Sequence, residues 1–185
     1  MDRKKVIAIP GSTRKLSTNH LLLKAIAAIG AERLDIDIFE RLENIPPFNP
    51  DSDVDGVPAE VNNLREQLNK ADGIIICTPE YAHGVPGTLK NLIDWTVSSS
   101  NFSHKPTILI TASTDGKYGH AALLETLKVI EAKNVMNLQL IVSFIKTKIN
   151  PQGKIIDEKT LNDVKQLIHD FIETLNSIDT DNSGR

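Results

Sequence analysis

The chain has 185 residues, with 21 basic and 24 acidic side chains, a net charge of −3 and a pI near 5.9. Hydrophobic residues make up 40% of it and aromatic residues only 4%, so aliphatic side chains must fill the core that a single domain of this length can bury. The charge balance excludes the clustered basic face of a nucleic-acid binder. No apolar run reaches the roughly 18 residues of a membrane span, and the lone cysteine, Cys77, excludes an intramolecular disulfide or a cysteine-based zinc cluster.

The basic start, 2–5, leads into only five strand-like residues, so no signal peptide is expected and a cytoplasmic location is. A short buried strand is predicted over 6–9, stopped by Pro10 and Gly11. Ser17, Thr18 and Asn19 can cap a helix with an inner face of Leu22, Ala25, Ile26 and Ile29. Alternation over 34–39 predicts a second strand. A long polar loop, 43–57, follows, with prolines at 46, 47 and 50. Val57 and Pro58 open a helix that puts Val61, Leu64, Leu68 and Ala71 on one face. Gly73 leads into 74–78, a run apolar on both faces, as a central parallel strand requires. Pro79 ends it, and Pro86 suits the first residue of a helix carrying Leu89, Leu92, Ile93 and Val97. A fourth strand is predicted over 107–112, a helix around Leu123, Leu127 and Ile130, and a fifth strand over 138–144. A last helix carries Leu161, Val164, Ile168, Phe171 and Leu175. The domain is expected to span 1–178, with 179–185 a frayed, disordered polar tail.

Strands alternating with helices imply a parallel sheet covered on both faces, a three-layer α/β sandwich. Right-handed crossovers leave the flavodoxin-like order 2-1-3-4-5 as the simplest arrangement of five strands. Ligands then bind beyond the carboxyl ends of the strands, at the switch point between strands 1 and 3. Segments 10–19, 79–87 and 113–119 converge there.

The first segment joins a strand to a helix N-terminus, whose N–H groups present about half a positive charge. Ser12, Ser17 and Thr18 can donate hydroxyls, Asn19 an amide and Arg14 a planar fork, a set suited to phosphate. The spacing fits neither the Walker loop nor the dinucleotide fingerprint. Without a ligand the same residues read as a capped helix start with a solvated arginine. The second segment, with two Gly, two Pro, Tyr81 and His83, can wall a planar ring, or serve only as a rigid turn. In the third, Ser113, Thr114, Asp115, Gly116, Lys117, Tyr118 and Gly119, the glycines allow close backbone approach to a ligand, or mark an ordinary surface loop.

Together these segments resemble the NADPH-dependent FMN reductase family of flavodoxin-like quinone, azo-dye and chromate reductases. The family's first motif, roughly G-S-x-R-x-x-S-x-N, stands here as residues Gly11, Ser12, Thr13, Arg14, Lys15, Leu16, Ser17, Thr18 and Asn19. Its second, P-E-Y-x-x-x-x-P-G-x-L-K-N-x-I/L-D-W, runs from Pro79, Glu80 and Tyr81 through Pro86, Gly87, Leu89, Lys90 and Asn91 to Ile93, Asp94 and Trp95. The resemblance covers about residues 4 to 145. It implies that Ser12, Arg14, Ser17, Thr18 and Asn19 hold the phosphate of a bound FMN. It implies that Pro79, Glu80, Tyr81, Ala82 and His83 line the isoalloxazine ring, and that Ser113, Thr114, Asp115 and Gly116 close its other side. NADPH or NADH would be the co-substrate and a small molecule (quinone, azo compound, metal oxyanion or free flavin) the acceptor, in a ping-pong cycle that needs no catalytic side chain. A homodimer or homotetramer is implied, with the helix after strand 3 near the interface. Many members carry Asn and Ser at the positions of Ala82 and Gly84, and more glycine in the third segment. The different class of function to weigh against this is a non-catalytic FMN-binding electron carrier or redox sensor, with loop 43–57 docking a partner.

Taken singly, Cys77 is expected as a small core residue, and His83 as a pocket-lining residue or a contact of the flavin. His20, His104, His120 and His169 lack metal-ligand spacing. Asp51, Asp53 and Asp55 alternate without completing a calcium loop and are expected in a solvated loop. Trp95 can be core or interface. No G-x-S-x-G elbow supports a serine hydrolase. The acidic pair and phosphoacceptor Asp of a response regulator are missing, since Pro10-Gly11-Ser12 and Thr78-Pro79-Glu80 stand in their places.

Overall fold

The structure, a computed structural model, describes the backbone of residues 3–14 and 17–183, and side chains as far as Ile178. In chain order it has β1 (Lys4–Pro10), α1 (Thr18–Gly30), β2 (Leu34–Ile38), α2 (Pro50–Val54), α3 (Ala59–Lys70), β3 (Gly73–Thr78), α4 (Gly87–Val97), β4 (Thr107–Ser113), α5 (Lys117–Val129), β5 (Gln139–Ser143) and α6 (Glu158–Ser183). The strands form one parallel sheet in the order β2-β1-β3-β4-β5. This is the flavodoxin-like order that the alternation of elements predicts.

The alternation of side chains along each strand divides the core in two. Val6, Ala8, Ile75, Cys77, Ile108 and Ile110 face α1 and α6. Ile7, Ile9, Ile74, Ile76 and Leu109 face α3, α4 and α5. Every residue of β3 is buried, because β3 is central and covered on both faces. Each of its isoleucines contributes about 1.5–3 kcal/mol by leaving water. Gly73 at its start lets α6 come close: a Cβ there would lie 2.5 Å from the Phe171 ring.

Two expectations change. Loop 43–57 is not a free polar loop. It holds a turn of 3-10 helix over Leu42–Asn44 and the short α2, which Asn49 caps by accepting from the Asp51 N–H. Asp53 is not solvated; its carboxylate pairs with Arg65 of α3, and both side chains are largely buried (9% and 14% exposed). The Ser98 hydroxyl and the Arg65 guanidinium hold its carboxyl below the usual carboxylate range. Trp95 belongs to the chain's own core, with its indole N–H donating to the Pro46 carbonyl and the Phe48 ring edge-on against it. The backbone of α6 continues as helix to Ser183, into the stretch expected to fray; the side chains of 179–183 and all of 184–185 lie outside the described residues. Among the described residues no helix is long and apolar enough to cross a membrane.

Candidate functional site

Three parallel strands, β1, β3 and β4, deliver their loops to the same end of the sheet, and α1 begins there. Gly11 makes the first turn possible. Its N–H donates to the Cys77 carbonyl at 2.8 Å, and a Cβ on it would lie 2.3 Å from Thr78 Oγ1. Ser17 then caps α1, its hydroxyl oxygen accepting from the His20 N–H at 3.1 Å. The hydroxyl of Ser12 likewise accepts from the Arg14 N–H at 3.3 Å, so both retain an O–H to donate outward. The N–H groups of Thr18 and Asn19 open the helix and have no acceptor within it. Lys15 and Leu16 of the first motif lie outside the described residues.

Asn19 has a structural task. Its amide N–H donates to the Ala112 carbonyl at 3.2 Å, and its oxygen accepts from the Cys77 thiol at 3.3 Å. One buried side chain therefore fastens the first turn of α1 to β4 and β3. Burial pushes the Cys77 thiol up, which keeps it protonated and unreactive, as expected of a core cysteine.

The β3 loop folds back as a small hairpin. Tyr81 and Gly84 exchange N–H to C=O bonds, both 2.9 Å, around Ala82 and His83, whose φ values are 49° and 59°. Positive φ at both central residues is the mark of a type I′ turn. Glu80 docks this hairpin onto α5: its carboxylate accepts from the Gly119 N–H at 2.6 Å, at the positive end of the helix. Gly119 is bare because a Cβ would lie 2.9 Å from the Gly84 carbonyl oxygen. The His83 ring stacks on Tyr118, with centroids 4.2 Å apart. The β4 loop joins through Ser113, whose hydroxyl accepts from the Glu80 N–H at 3.3 Å.

These loops enclose a cleft of about 650 Å³, within the range of small-molecule and cofactor sites. Ten of the expected residues line it: Ser12, Arg14, Ser17, Thr18 and Asn19 at one end, Pro79, Glu80 and Tyr81 beside β3, and Ser113 and Thr114 beside β4. Four others do not. Ala82 and His83 form the tip of the hairpin, outside the lining. Asp115 turns to solvent, where its carboxylate lies 3.9 Å from the Lys117 ammonium. Gly116, at φ 99°, starts α5, and a Cβ there would meet Thr111 Cγ2 at 2.9 Å.

A whole wall escaped the sequence reading. Beyond β5, residues 144–147 and 149–151 line the cleft. Ile145 and Ile149 are buried under α6 and fix this loop to the core, and the Phe144 N–H donates to the Thr114 carbonyl at 3.2 Å. The clues available were the Ile145/Ile149 spacing and the turn-forming run Asn150, Pro151, Gln152 and Gly153. Neither says which end of the sheet the loop serves.

A second, smaller cavity of about 310 Å³ lies on the other side of the first loop and shares Ser12 and Arg14 with the cleft. There His20 is held below its ordinary range by burial first and by the Lys24 charge second, against the pull of Glu40. Among the described residues no group of His, Cys, Asp or Glu side chains is placed to hold a metal.

The donors at the first loop fit a phosphate ester: two outward hydroxyls, a guanidinium and two free helix N–H groups meet at one end of a cleft long enough for an attached ring. Glu80, the one carboxylate among the described lining residues, is engaged with Gly119, so among those residues no acid–base or nucleophile–base pair faces the cleft. A site of this kind supplies binding and orientation and leaves the chemistry to a cofactor.

Known proteins agree. Residues 4–147 match the family model described as NADPH-dependent FMN reductase. The chain is 32% identical over 169 residues to a quinone reductase of Escherichia coli, covering 87% of this chain and 89% of that one. It is 30% identical over 176 residues to an NADPH azoreductase of a Bacillus species, covering 92% and 90%. Its fold is similar to that of FerB, a flavoenzyme NAD(P)H:(acceptor) oxidoreductase from Paracoccus denitrificans, at a TM-score of 0.78 with 24% identity, over 94% of this chain and 98% of that one. A match over most of the chain, on the loops that build the cleft, places this protein in the NADPH-dependent FMN reductase family.

Proposed function

We propose that the cleft holds FMN and that the enzyme passes a hydride from NAD(P)H to a small oxidised acceptor in a ping-pong cycle. The observation that carries this reading is the α1 N-terminus, whose free N–H groups stand beside Ser12, Arg14 and Ser17 at one end of the cleft. These residues, with Thr18, would hold the phosphate; Asn19 would contribute its main-chain N–H while its side chain braces the loop. The main chain and side chains of Pro79, Glu80 and Tyr81, with Ser113 and Thr114, would border the ring. When bound, the flavin supplies the hydride-accepting and hydride-donating chemistry.

The chain's residues supply position and electrostatics. Arg14 and the helix end neutralise the phosphate. Glu80 and Asn19 lock the second and first loops to α5 and to the strand ends, so the walls stand in place before a ligand arrives. Donor and acceptor would approach the same open side of one cleft, which requires them to take turns. Quinones, azo compounds, metal oxyanions and free flavin all belong to the acceptor class proposed.

The test is an anaerobic titration of the purified protein with FMN, then with NADPH and NADH. Flavin that binds, bleaches on reduction and recovers when a quinone is added supports the reading. A bound flavin that neither nucleotide reduces would instead favour a carrier or sensor, and failure to bind FMN overturns the site. Arg14→Ala is expected to weaken FMN binding about tenfold with little change in the spectrum of the flavin that does bind.

A further inference from the structure

Phe144 stands in a conformation that the fold alone does not explain. Its φ is 54°, costly for a bulky side chain, and the residue is 62% exposed and lines the cleft. Three hydrogen bonds hold it so. Its N–H donates to the Thr114 carbonyl at 3.2 Å, and its own carbonyl accepts from the N–H and the hydroxyl of Thr147, both at 2.9 Å. The next residue, Ile145, is buried and fixes the chain direction. The local structure thus keeps an apolar ring out of the core and at the cleft, at a backbone position that glycine would occupy without strain.

The cleft has one other aromatic side chain, Tyr81, 54% exposed, on the β3 loop. In the sheet β4 lies between β3 and β5, so the loops bearing Tyr81 and Phe144 flank the one bearing Ser113 and Thr114. A flat guest entering over that middle loop meets an aromatic residue on either side.

We infer that Phe144 is a specificity-determining residue for the electron acceptor: its ring contacts a planar aromatic acceptor of the quinone class and favours it over compact inorganic ones. This rests on the FMN reading of the cleft. Phe144 follows the edge strand β5, and β3 and β4 separate that strand from β1, whose loop carries the phosphate donors, so its contribution is expected to separate from cofactor binding.

The experiment compares the FMN-loaded parent with Phe144→Ala and Phe144→Tyr. FMN affinity is read from quenching of flavin fluorescence. Menadione affinity for the oxidised protein, without NADPH, is read from perturbation of the flavin absorbance band. KM is measured for menadione and for ferricyanide at saturating NADPH. Phe144→Ala is expected to raise the menadione Kd and KM about threefold to tenfold. FMN affinity and the ferricyanide KM should stay within about twofold, and Phe144→Tyr should restore menadione binding. Unchanged menadione constants overturn the inference. So does a parallel rise for ferricyanide, or a change in oligomeric mass accompanying the loss, which would make Phe144 an interface residue. A parent that fails to bind FMN brings down the cofactor reading and this inference together, whereas equal menadione constants with FMN in place bring down this inference alone.

Discussion

Asn91 and Trp95, one turn apart on α4, both donate to the carbonyl oxygen of Pro46, at 2.9 and 2.8 Å. Pro46 and Pro47 have no N–H of their own, so the segment cannot tie itself down through donors there. The helix supplies what is missing. Asn91 also accepts from the Phe48 N–H at 2.7 Å, and the Phe48 ring meets Trp95 edge-on, with centroids 5.0 Å apart. Two polar letters of the second motif therefore hold the chain between β2 and α2 rather than contacting the cleft.

Asn91→Ala should cost about 1–3 kcal/mol, because it leaves the Phe48 N–H without an acceptor. Trp95→Phe should cost about as much, through the lost indole N–H and a core gap. Sharing one acceptor, the pair should be non-additive by about 0.5 kcal/mol or more. Urea unfolding of both single variants and the double variant checks this; strict additivity would argue that the shared carbonyl does not couple them.

Asp53 makes stability depend on acid. Its carboxyl is held low by the Ser98 hydroxyl and the Arg65 guanidinium, so the folded state keeps it ionised more readily than the unfolded chain does. The stabilisation is present above the unfolded value, about 3.9, and is lost as pH falls through the lower folded value. The stability gap between parent and Asp53→Asn should be flat from neutral pH to about pH 5 and should close below about pH 4. A gap that persists unchanged into strong acid would show that the pair is held by something other than the charge.

Gly11→Ala should push the first loop away from β3. The new Cβ would start 2.3 Å from Thr78 Oγ1 and 2.6 Å from Thr78 Cβ. Overpacking of this kind costs about 1–3 kcal/mol, and FMN affinity should drop about tenfold as the preorganised phosphate loop shifts. Thr78→Ala in the same chain removes only the nearer contact, so rescue should be partial; full rescue would mean that the 2.6 Å contact relaxes freely.

Ala82 sits at φ 49° without glycine or asparagine chemistry to ease it. Ala82→Asn should stabilise the hairpin by about 0.5–1 kcal/mol, since asparagine tolerates the left-handed region. Because residue 82 lies outside the cleft lining, FMN affinity should not move. A change in affinity without one in melting temperature would place this side chain in the site after all.

The parallel order was legible because β3 is apolar on both faces and α1, α3, α4, α5 and α6 each show an apolar stripe. The first loop was legible as a candidate phosphate site because a capping serine, an arginine and a turn glycine fall together between Pro10 and Asn19. The tasks of motif residues were less so. Glu80 reads as a lining residue, with nothing beside it to show that the Gly119 N–H, 39 positions on, is turned to its carboxylate. Asn19 reads as a loop donor, with nothing beside it to show that its amide also braces the Ala112 carbonyl 93 positions on. Such partners are set by tertiary distance, which leaves no local trace. Short α2 was hidden for another reason: Asp51, Ser52 and Asp53 are ordinary loop residues, and the cap from Asn49 and the tie to Arg65 make them helical.

The wall beyond β5 also dictates when the cleft comes into being. The loop after β1 leaves the ribosome early, but the opposite side waits for the chain as far as Pro151 of 185 residues. Between them, β1 must pair with β3 and β4 with β5, each across a long intervening crossover, and such non-local pairings form slowly. Cofactor capture is therefore a closing event of biosynthesis. Flavin would reward a finished sheet by mass action without having guided its assembly, and a nascent chain stalled before β5 would own the loops after β1, β3 and β4 but lack the cleft's last wall.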